Sequence, residues 1–253
     1  MTTIPLWPNG IPNDVKALPD APDEVPHLVP FLVAGAKNRG CVVVCPGGGY
    51  HVRAPHEGDP IARWLNGLGI HAVVLHYRVK RRFPCSLRDA ERAVRLVRHH
   101  AGAWGVDPAK VGILGFSAGG HLAASACTLA SDGDPAAADP VDRLSARPDA
   151  GVLCYAVLTA GAGRHQGSIQ VLLGPEPWDE SARRQVSLEE QVSAQTPPCF
   201  LWHTADDAGV PVANSLRFAQ ACRDHQVPVE VHVFPHGRHG LGLAADDAVV
   251  GQW

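Results

Sequence analysis

Three groups of residues in this sequence have types and spacings suited to transferring an acyl group. The first is Ser117, in Gly115-Phe116-Ser117-Ala118-Gly119, with the apolar run Val111 to Leu114 before it and the small-residue stretch Gly120 to Ala124 after it. A strand, a Gly-x-Ser-x-Gly turn and a helix in that order describe a nucleophile elbow, which lifts a serine hydroxyl above the edge of a sheet. A serine hydroxyl is a weak nucleophile and needs a base within hydrogen-bond reach, itself oriented by an acid. The second group supplies both. Asp206-Asp207 follows the apolar run Cys199 to His203, and His236 and His239 follow the run Val229 to Phe234. Asp207 is preferred to Asp206, the loser being a turn aspartate that bonds local backbone N–H groups. His239, between small flexible residues at its loop tip, is preferred to His236. The third group is Gly47-Gly48-Gly49, directly after the apolar run Cys41 to Cys45. Glycines there let backbone N–H groups approach a developing oxyanion without a Cβ in the way. The N–H groups of Gly48, Gly49 and Ala118 are the expected donors.

These groups need a scaffold that brings them to one rim. Cys41–Cys45, His71–Tyr77, Val111–Leu114, Ala150–Val157, Cys199–His203 and Val229–Phe234 read as strands, several of them continuously apolar as in a buried parallel sheet. Helical spacing covers 57–68, 86–100 and 212–225, so strands and helices alternate from residue 41 onward. That pattern predicts an α/β fold with a mostly parallel central sheet and helices on both faces. In such a sheet the loops at the C-terminal strand ends share one rim, where ligands bind. Residues 1–27, rich in Pro, Asn and Asp, read as an extended arm, and 28–34 as a further strand. Residues 161–198 are less regular, with one weak helical stretch at 187–192, and read as an excursion forming at most a small cap. The whole of 1–253 is expected to be one domain.

Composition narrows the partners. The chain has 253 residues, 45% hydrophobic and 19% charged, with a formal net charge of -3. Nothing in that balance points to nucleic acid or an anionic membrane, and Lys80-Arg81-Arg82 is short enough to be a solvated loop. There is no apolar run long enough to span a bilayer, and the N-terminus does not read as a signal peptide. Seven cysteines with no Cys-x-x-Cys pair, several inside apolar runs, fit a reduced, cytoplasmic protein. His232, His236 and His239 have metal-like spacing, but a strand position and two turn positions need not converge, and no further ligand is placed beside them. Neither a metal nor a cofactor is expected.

The chain resembles the α/β-hydrolase fold, and within it the esterases similar to hormone-sensitive lipase and the acetylxylan-esterase-like hydrolases. The resemblance runs over nearly the whole sequence. It rests on Leu6-Trp7-Pro8, Pro46-Gly47-Gly48-Gly49-Tyr50, Glu57-Gly58, His76-Tyr77-Arg78, Trp104-Gly105-Val106-Asp107-Pro108, the elbow through Ala123, Leu172-Leu173-Gly174, Thr196-Pro197-Pro198, Trp202 to Asp207, Val210-Pro211-Val212 and Phe234-Pro235-x-Gly-x-His239-Gly240. It implies Asp207 as the acid, four residues after His203 and four before Pro211, and His239 as the base. Pro46 stands where the lipase-like branch has histidine, which points to the acetylxylan-esterase-like branch. The chain also stops soon after His239, where the family continues into a full helix. That leaves one sheet face to the arm, to a second subunit in a homodimer, or to solvent.

The resulting expectation is a serine esterase acting through an acyl-enzyme on short-chain, acetyl-type esters of small molecules or oligosaccharides. Tyr50, His51 and His121 are candidate pocket residues by their nearness to the hole and elbow; packing is the competing role for Tyr50 and His121. A hydrolase of amide or formamide bonds with the same machinery is the first alternative. A catalytically silent binding protein on the same fold is the second, and it would predict a broken triad.

Overall fold

The computed structural model describes residues 3–12 and 16–253, so residues 1, 2 and 13–15 of the N-terminal arm lie outside the described residues. Its strands are β1 (Ile4–Pro5), β2 (His27–Phe31), β3 (Arg39–Cys45), β4 (His71–His76), β5 (Val106–Phe116), β6 (Ala150–Cys154), β7 (Cys199–Thr204) and β8 (Val229–Phe234). The helices are α1 (Asp59–Gly67), α2 (Cys85–His99), α3 (Ala101–Trp104), α4 (Ser117–Thr128), α5 (Gln166–Leu173), α6 (Glu180–Gln185) and α7 (Ala213–Asp224). All eight strands form one sheet in the order β1-β2-β4-β3-β5-β6-β7-β8. From β4 through β8 the pairings are parallel, while β2 runs antiparallel to β4 and to β1.

Successive side chains of a strand point to opposite faces, and the core divides accordingly. Val43, Val73 and Ile113 face one layer, with Val94 of α2, Leu122 of α4 and Phe218 of α7. Val44, Val74 and Leu114 face the other, with Ile61 and Leu65 of α1 and with Phe116 and Trp202. Leu6 and Trp7 bring the arm onto the first face. There the Trp7 indole N–H donates to Asp89 at 3.0 Å, and the Arg92 guanidinium lies 5.1 Å from the Trp7 ring. The chain's own C-terminal segment packs on part of the second face. Trp253 stacks on Trp202 (5.2 Å between centroids) and lies 5.3 Å from Trp64.

Several element bounds differ from the sequence reading. The predicted helix at 57–68 splits at Gly58 into a single 3-10 turn (Pro55–Glu57) and α1, because Pro60 favours the first turn of a new helix. β5 starts earlier than the elbow run, since Val106 already pairs with Arg39 before a bulge at Arg39/Cys41. The strand predicted for 28–34 pairs only as far as Phe31. The one predicted for 150–157 stops at Cys154, where Tyr155 takes a φ of 36° that no strand continues. The excursion at 161–198 holds α5 and α6, which the reading missed, and its weak helix reduces to a 3-10 turn at Leu188–Glu190. Backbone bonds tie this excursion to the body: Phe83 N–H donates to the Leu172 carbonyl at 3.0 Å and Leu188 N–H to that of Leu158 at 2.8 Å.

Candidate active site

Ser117 begins α4 directly after β5 with a φ of 53°, a left-handed conformation rare for a non-glycine residue. The turn closes only because its neighbours lack side chains. A Cβ on Gly115 would lie 2.0 Å from the Gly119 carbonyl oxygen, and one on Gly119 would lie 2.1 Å from the Cys45 carbonyl oxygen. Ser117 therefore points over the C-terminal rim of the sheet, where the loops after β7 and β8 also arrive.

Those loops complete a chain of hydrogen bonds. His239 Nε2 is 2.8 Å from Ser117 Oγ, and His239 Nδ1 is 2.7 Å from Asp207 Oδ2. A carboxylate can only accept, so Nδ1 carries the proton and Nε2 is left to accept from the serine hydroxyl. Asp207 Oδ1 accepts the N–H groups of Gly209 at 2.8 Å and Val210 at 2.9 Å. Burial alone would push the Asp207 carboxyl up. Hydrogen bonds from His203, His239 and Val210 outweigh it and hold the group well below the usual carboxylate range.

Asp206 and His236 pair with each other instead. Asp206 Oδ2 lies 3.0 Å from His236 Nδ1 and its Oδ1 accepts the Gly237 N–H, all on the exposed outer side of the two loops. His232 leans on Phe200 and bonds Glu230. The three histidines with metal-like spacing thus face different partners. Among the described residues, no group of three or more His, Cys, Asp or Glu is placed to hold a metal ion.

The glycine loop after β3 lies against the elbow: a Cβ on Gly47 would come within 3.0 Å of Ser117 Cβ. Its first N–H, on Gly47, is taken by Glu57 Oε2 at 2.8 Å. No hydrogen bond among the described residues uses the N–H groups of Gly48 or Gly49. Ala118 N–H belongs to the first turn of α4, where helix N–H groups have no intrahelical partner. His51, an exposed residue, places Cδ2 within 3.6 Å of where a Gly49 Cβ would stand. His165, the N-cap of α5, stands on the same flank of Gly49. Its Nδ1 accepts from the Ser168 N–H, and burial, with the nearby His239, holds its pKa below the ordinary histidine value. The sequence reading did not single out His165, because only the path of the excursion brings it here.

Tyr50 and His121, candidate pocket residues with packing as the competing role, lie inside the protein. Both are 1% exposed. The Tyr50 hydroxyl is 2.8 Å from His121 Nδ1, and His121 Nε2 is 3.0 Å from the Val186 carbonyl oxygen. The carbonyl requires Nε2–H, so Nδ1 accepts from the tyrosine. Together the pair braces the glycine loop against α4 and the excursion from below. Of the three candidates, only His51 reaches the surface.

A cleft of about 660 Å³ borders the glycine loop on the side of the arm, lined in part by Asp20, Glu24, Pro46, His51, Arg53 and Lys80. Ser117 is not among its lining residues. His76, on its wall, stacks on His27 at 4.4 Å. Burial, with the nearby His27 and Arg53, brings the His76 pKa down to about 4, and burial brings that of His121 down to about 4 as well. A histidine held below its ordinary value near about 6.5 binds its proton more weakly in the folded than in the unfolded chain, so stability falls as pH drops through that interval. We expect Tm to decline between pH 6.5 and pH 4, and His76→Gln to have a shallower decline. Thermal melts across that range check this, and an unchanged slope in the variant would count against it.

The architecture and the elbow define an α/β hydrolase. A profile of the BD-FAE family matches residues 32–222, and the chain belongs to that family. It is 40% identical to endo-1,4-beta-xylanase B of Butyrivibrio fibrisolvens over 231 residues, 88% of this chain and 36% of that protein. It is 33% identical to an acetylxylan esterase of Xylanibacter ruminicola over 225 residues, 86% of this chain and 44% of the relative. The chain thus spans less than half the length of either relative. The crystal structure of an acetyl ester-xyloside bifunctional hydrolase from Caldicellulosiruptor lactoaceticus superposes with a TM-score of 0.94 at 50% identity, covering 100% of this chain and 92% of that one. No helix of the described residues is long and apolar enough to cross a membrane.

Proposed function

We propose that this protein is a serine esterase that hydrolyses short-chain carboxylic esters, acetyl esters of xylose-based sugars foremost, through an acyl-enzyme. The observation that carries the reading is the position of His239, within hydrogen-bond distance of Ser117 on one nitrogen and of Asp207 on the other. His239 Nε2 takes the hydroxyl proton while Ser117 Oγ adds to the ester carbonyl carbon. Charge collects on the former carbonyl oxygen, facing the N–H groups of Gly48, Gly49 and Ala118. The tetrahedral species collapses, the C–O bond to the alcohol breaks, and His239 returns the proton to the leaving oxygen. Water then attacks the acyl carbon as His239 removes its proton. A second collapse frees the acid, and the serine oxygen recovers its proton from His239. Throughout, Asp207 orients the ring and stabilises its protonated form. A complete and connected triad also disfavours a silent binding protein.

The substrate class is supported by relatives whose names carry acetylxylan and acetyl ester-xyloside. Near the hole, His51 and His165 present ring edges beside Gly49, where the alcohol or acyl portion of an ester would sit. Turnover measured with p-nitrophenyl acetate, p-nitrophenyl butyrate, acetylated xylo-oligosaccharides and an N-formyl or N-acetyl arylamine tests the reading. We expect acetate to be preferred to butyrate, acetic acid to be released from the acetylated sugars, and the amides to be turned over far more slowly. Preferential turnover of the amides would replace it with the amidohydrolase alternative.

A further inference from the structure

The catalytic groups on the rim are carried by loops that come from opposite ends of the sequence, and one buried carboxylate joins two of them. Glu57 ends the 3-10 turn that follows the glycine loop and is 2% exposed. A carboxylate so deeply buried is tolerated only when its oxygens are hydrogen-bonded. Oε2 accepts the Gly47 N–H at 2.8 Å, and Oε1 accepts the Tyr155 hydroxyl proton at 2.6 Å. The Tyr155 oxygen in turn accepts the Gly242 N–H at 2.8 Å. Gly242 lies just past His239. A second link runs in parallel: the neighbouring residue His56 bonds the Gly240 carbonyl through Nε2 at 3.1 Å.

Three further observations give this bridge a purpose at the reacting centre. First, Gly47 admits it: a Cβ there would stand 2.6 Å from Glu57 Oε2 and 3.0 Å from Ser117 Cβ. The carboxylate therefore packs into the space where glycine loop and elbow meet. By holding the Gly47 N–H, it turns the loop so that the next two N–H groups stay unpaired. Second, the Tyr155 ring lies edge-on to the His239 ring at 5.0 Å and to the Trp202 ring at 4.9 Å, so the residue that Glu57 fixes is also the wall beside the base. Third, Tyr155 takes a φ of 36°, a strained conformation for a residue with a side chain. That strain sets its hydroxyl between the two loops.

We infer that Glu57 is a positioning residue that holds the oxyanion-hole loop and the histidine loop in register through Tyr155. The inference rests on the esterase reading above. Oxyanion stabilisation depends on donors placed in advance, and small displacements of catalytic groups cost large factors in rate. Loss of the bridge therefore lowers kcat more than it raises KM. In Glu57→Gln the amide can still accept from Gly47. Its NH2 meets a tyrosine oxygen that already accepts from Gly242, and the tyrosine proton loses its acceptor.

The test measures kcat and KM for p-nitrophenyl acetate with Glu57→Gln, Tyr155→Phe and the double variant, per active site counted by the end point of fluorophosphonate labelling, together with Tm. Because a displaced donor is less severe than a deleted one, kcat falls by about 30- to 100-fold in Glu57→Gln and about 10-fold in Tyr155→Phe, with KM within about threefold. The double variant loses no more than Glu57→Gln alone, since both break the same link. A purely structural role would lower Tm and the number of active sites while leaving kcat per site within twofold of wild type; that result overturns the inference, as does an additive double variant. If Glu57→Gln does not fold, Tyr155→Phe, which keeps the ring and loses only the hydroxyl, decides by the same criterion. A wild type that neither labels nor turns over ester fails at an earlier point: the esterase reading falls and this one with it.

Discussion

Ser117→Ala lowers kcat for p-nitrophenyl acetate by about 10⁴-fold or more and abolishes labelling by a fluorophosphonate. Among the described residues its hydroxyl makes one hydrogen bond, to His239. Alanine inherits the same φ of 53° and the same contacts with the glycine turn, so the backbone strain is unchanged. Tm should therefore stay within about 3 °C of wild type, since a single partly exposed hydrogen bond contributes only about 1 kcal/mol. Loss of turnover with an intact melt separates chemistry from folding. A variant retaining a tenth of the wild-type kcat would remove Ser117 from the reaction.

The second large effect distinguishes two adjacent carboxylates. In Asp207→Asn the amide can bond His239 Nδ1 through its NH2, and the ring then carries its proton on Nε2, facing the serine. No base remains in reach of Ser117, and kcat drops by roughly 10³- to 10⁴-fold, the size expected when a triad acid ceases to set the tautomer. Asp206→Asn removes only an exposed contact with His236 and the Gly237 N–H, and stays within about threefold of wild type. The comparison is read from the two kcat values side by side, and a larger loss in Asp206→Asn would transfer the role. Asp207 also contributes to stability with a definite sign. Its folded pKa is depressed, so the contribution is present above the ordinary carboxylate value of about 3.9 and is lost as pH falls through the lower folded value.

The glycine loop and the histidine loop explain why so much of the candidate site could be read from sequence. Each sits directly after an apolar run, and a parallel sheet delivers all C-terminal strand ends to one rim. Glycine at 47, 48, 115 and 119 reports close approach, since a Cβ at any of them would come within 3.0 Å of a neighbouring atom. The long, uniformly apolar strands and the amphipathic α2 were legible for the same reason: their burial is written as composition and period.

Other features follow from distances that no local pattern encodes. Tyr50 and His121 are close in sequence to the glycine loop and the elbow, yet they satisfy each other and point inward, because β3 and α4 bring them together beneath the loop. His165 is far from any motif, and the excursion carries it to the flank of Gly49. Part of the second sheet face is covered by a cluster of Trp64, Trp202 and Trp253, drawn from three distant parts of the chain. Glu57 is the clearest case. As sequence it is one acid between a histidine and a glycine. Its meaning lies in two hydrogen bonds, to Gly47 and Tyr155, the second with a residue 98 positions away.

By itself, then, the sequence determined the α/β alternation, the elbow at Ser117, the glycine loop, and the order of serine, acid and histidine along the chain. Each of these is a matter of residue type and local period. The sequence also favoured Asp207 and His239 over their neighbours; only the tertiary structure brings that pair to 2.7 Å and shows which nearby side chains turn inward beneath the rim. Those outcomes turn on the direction of a side chain at the end of a strand, and that direction is fixed by partners contributed from elsewhere in the fold.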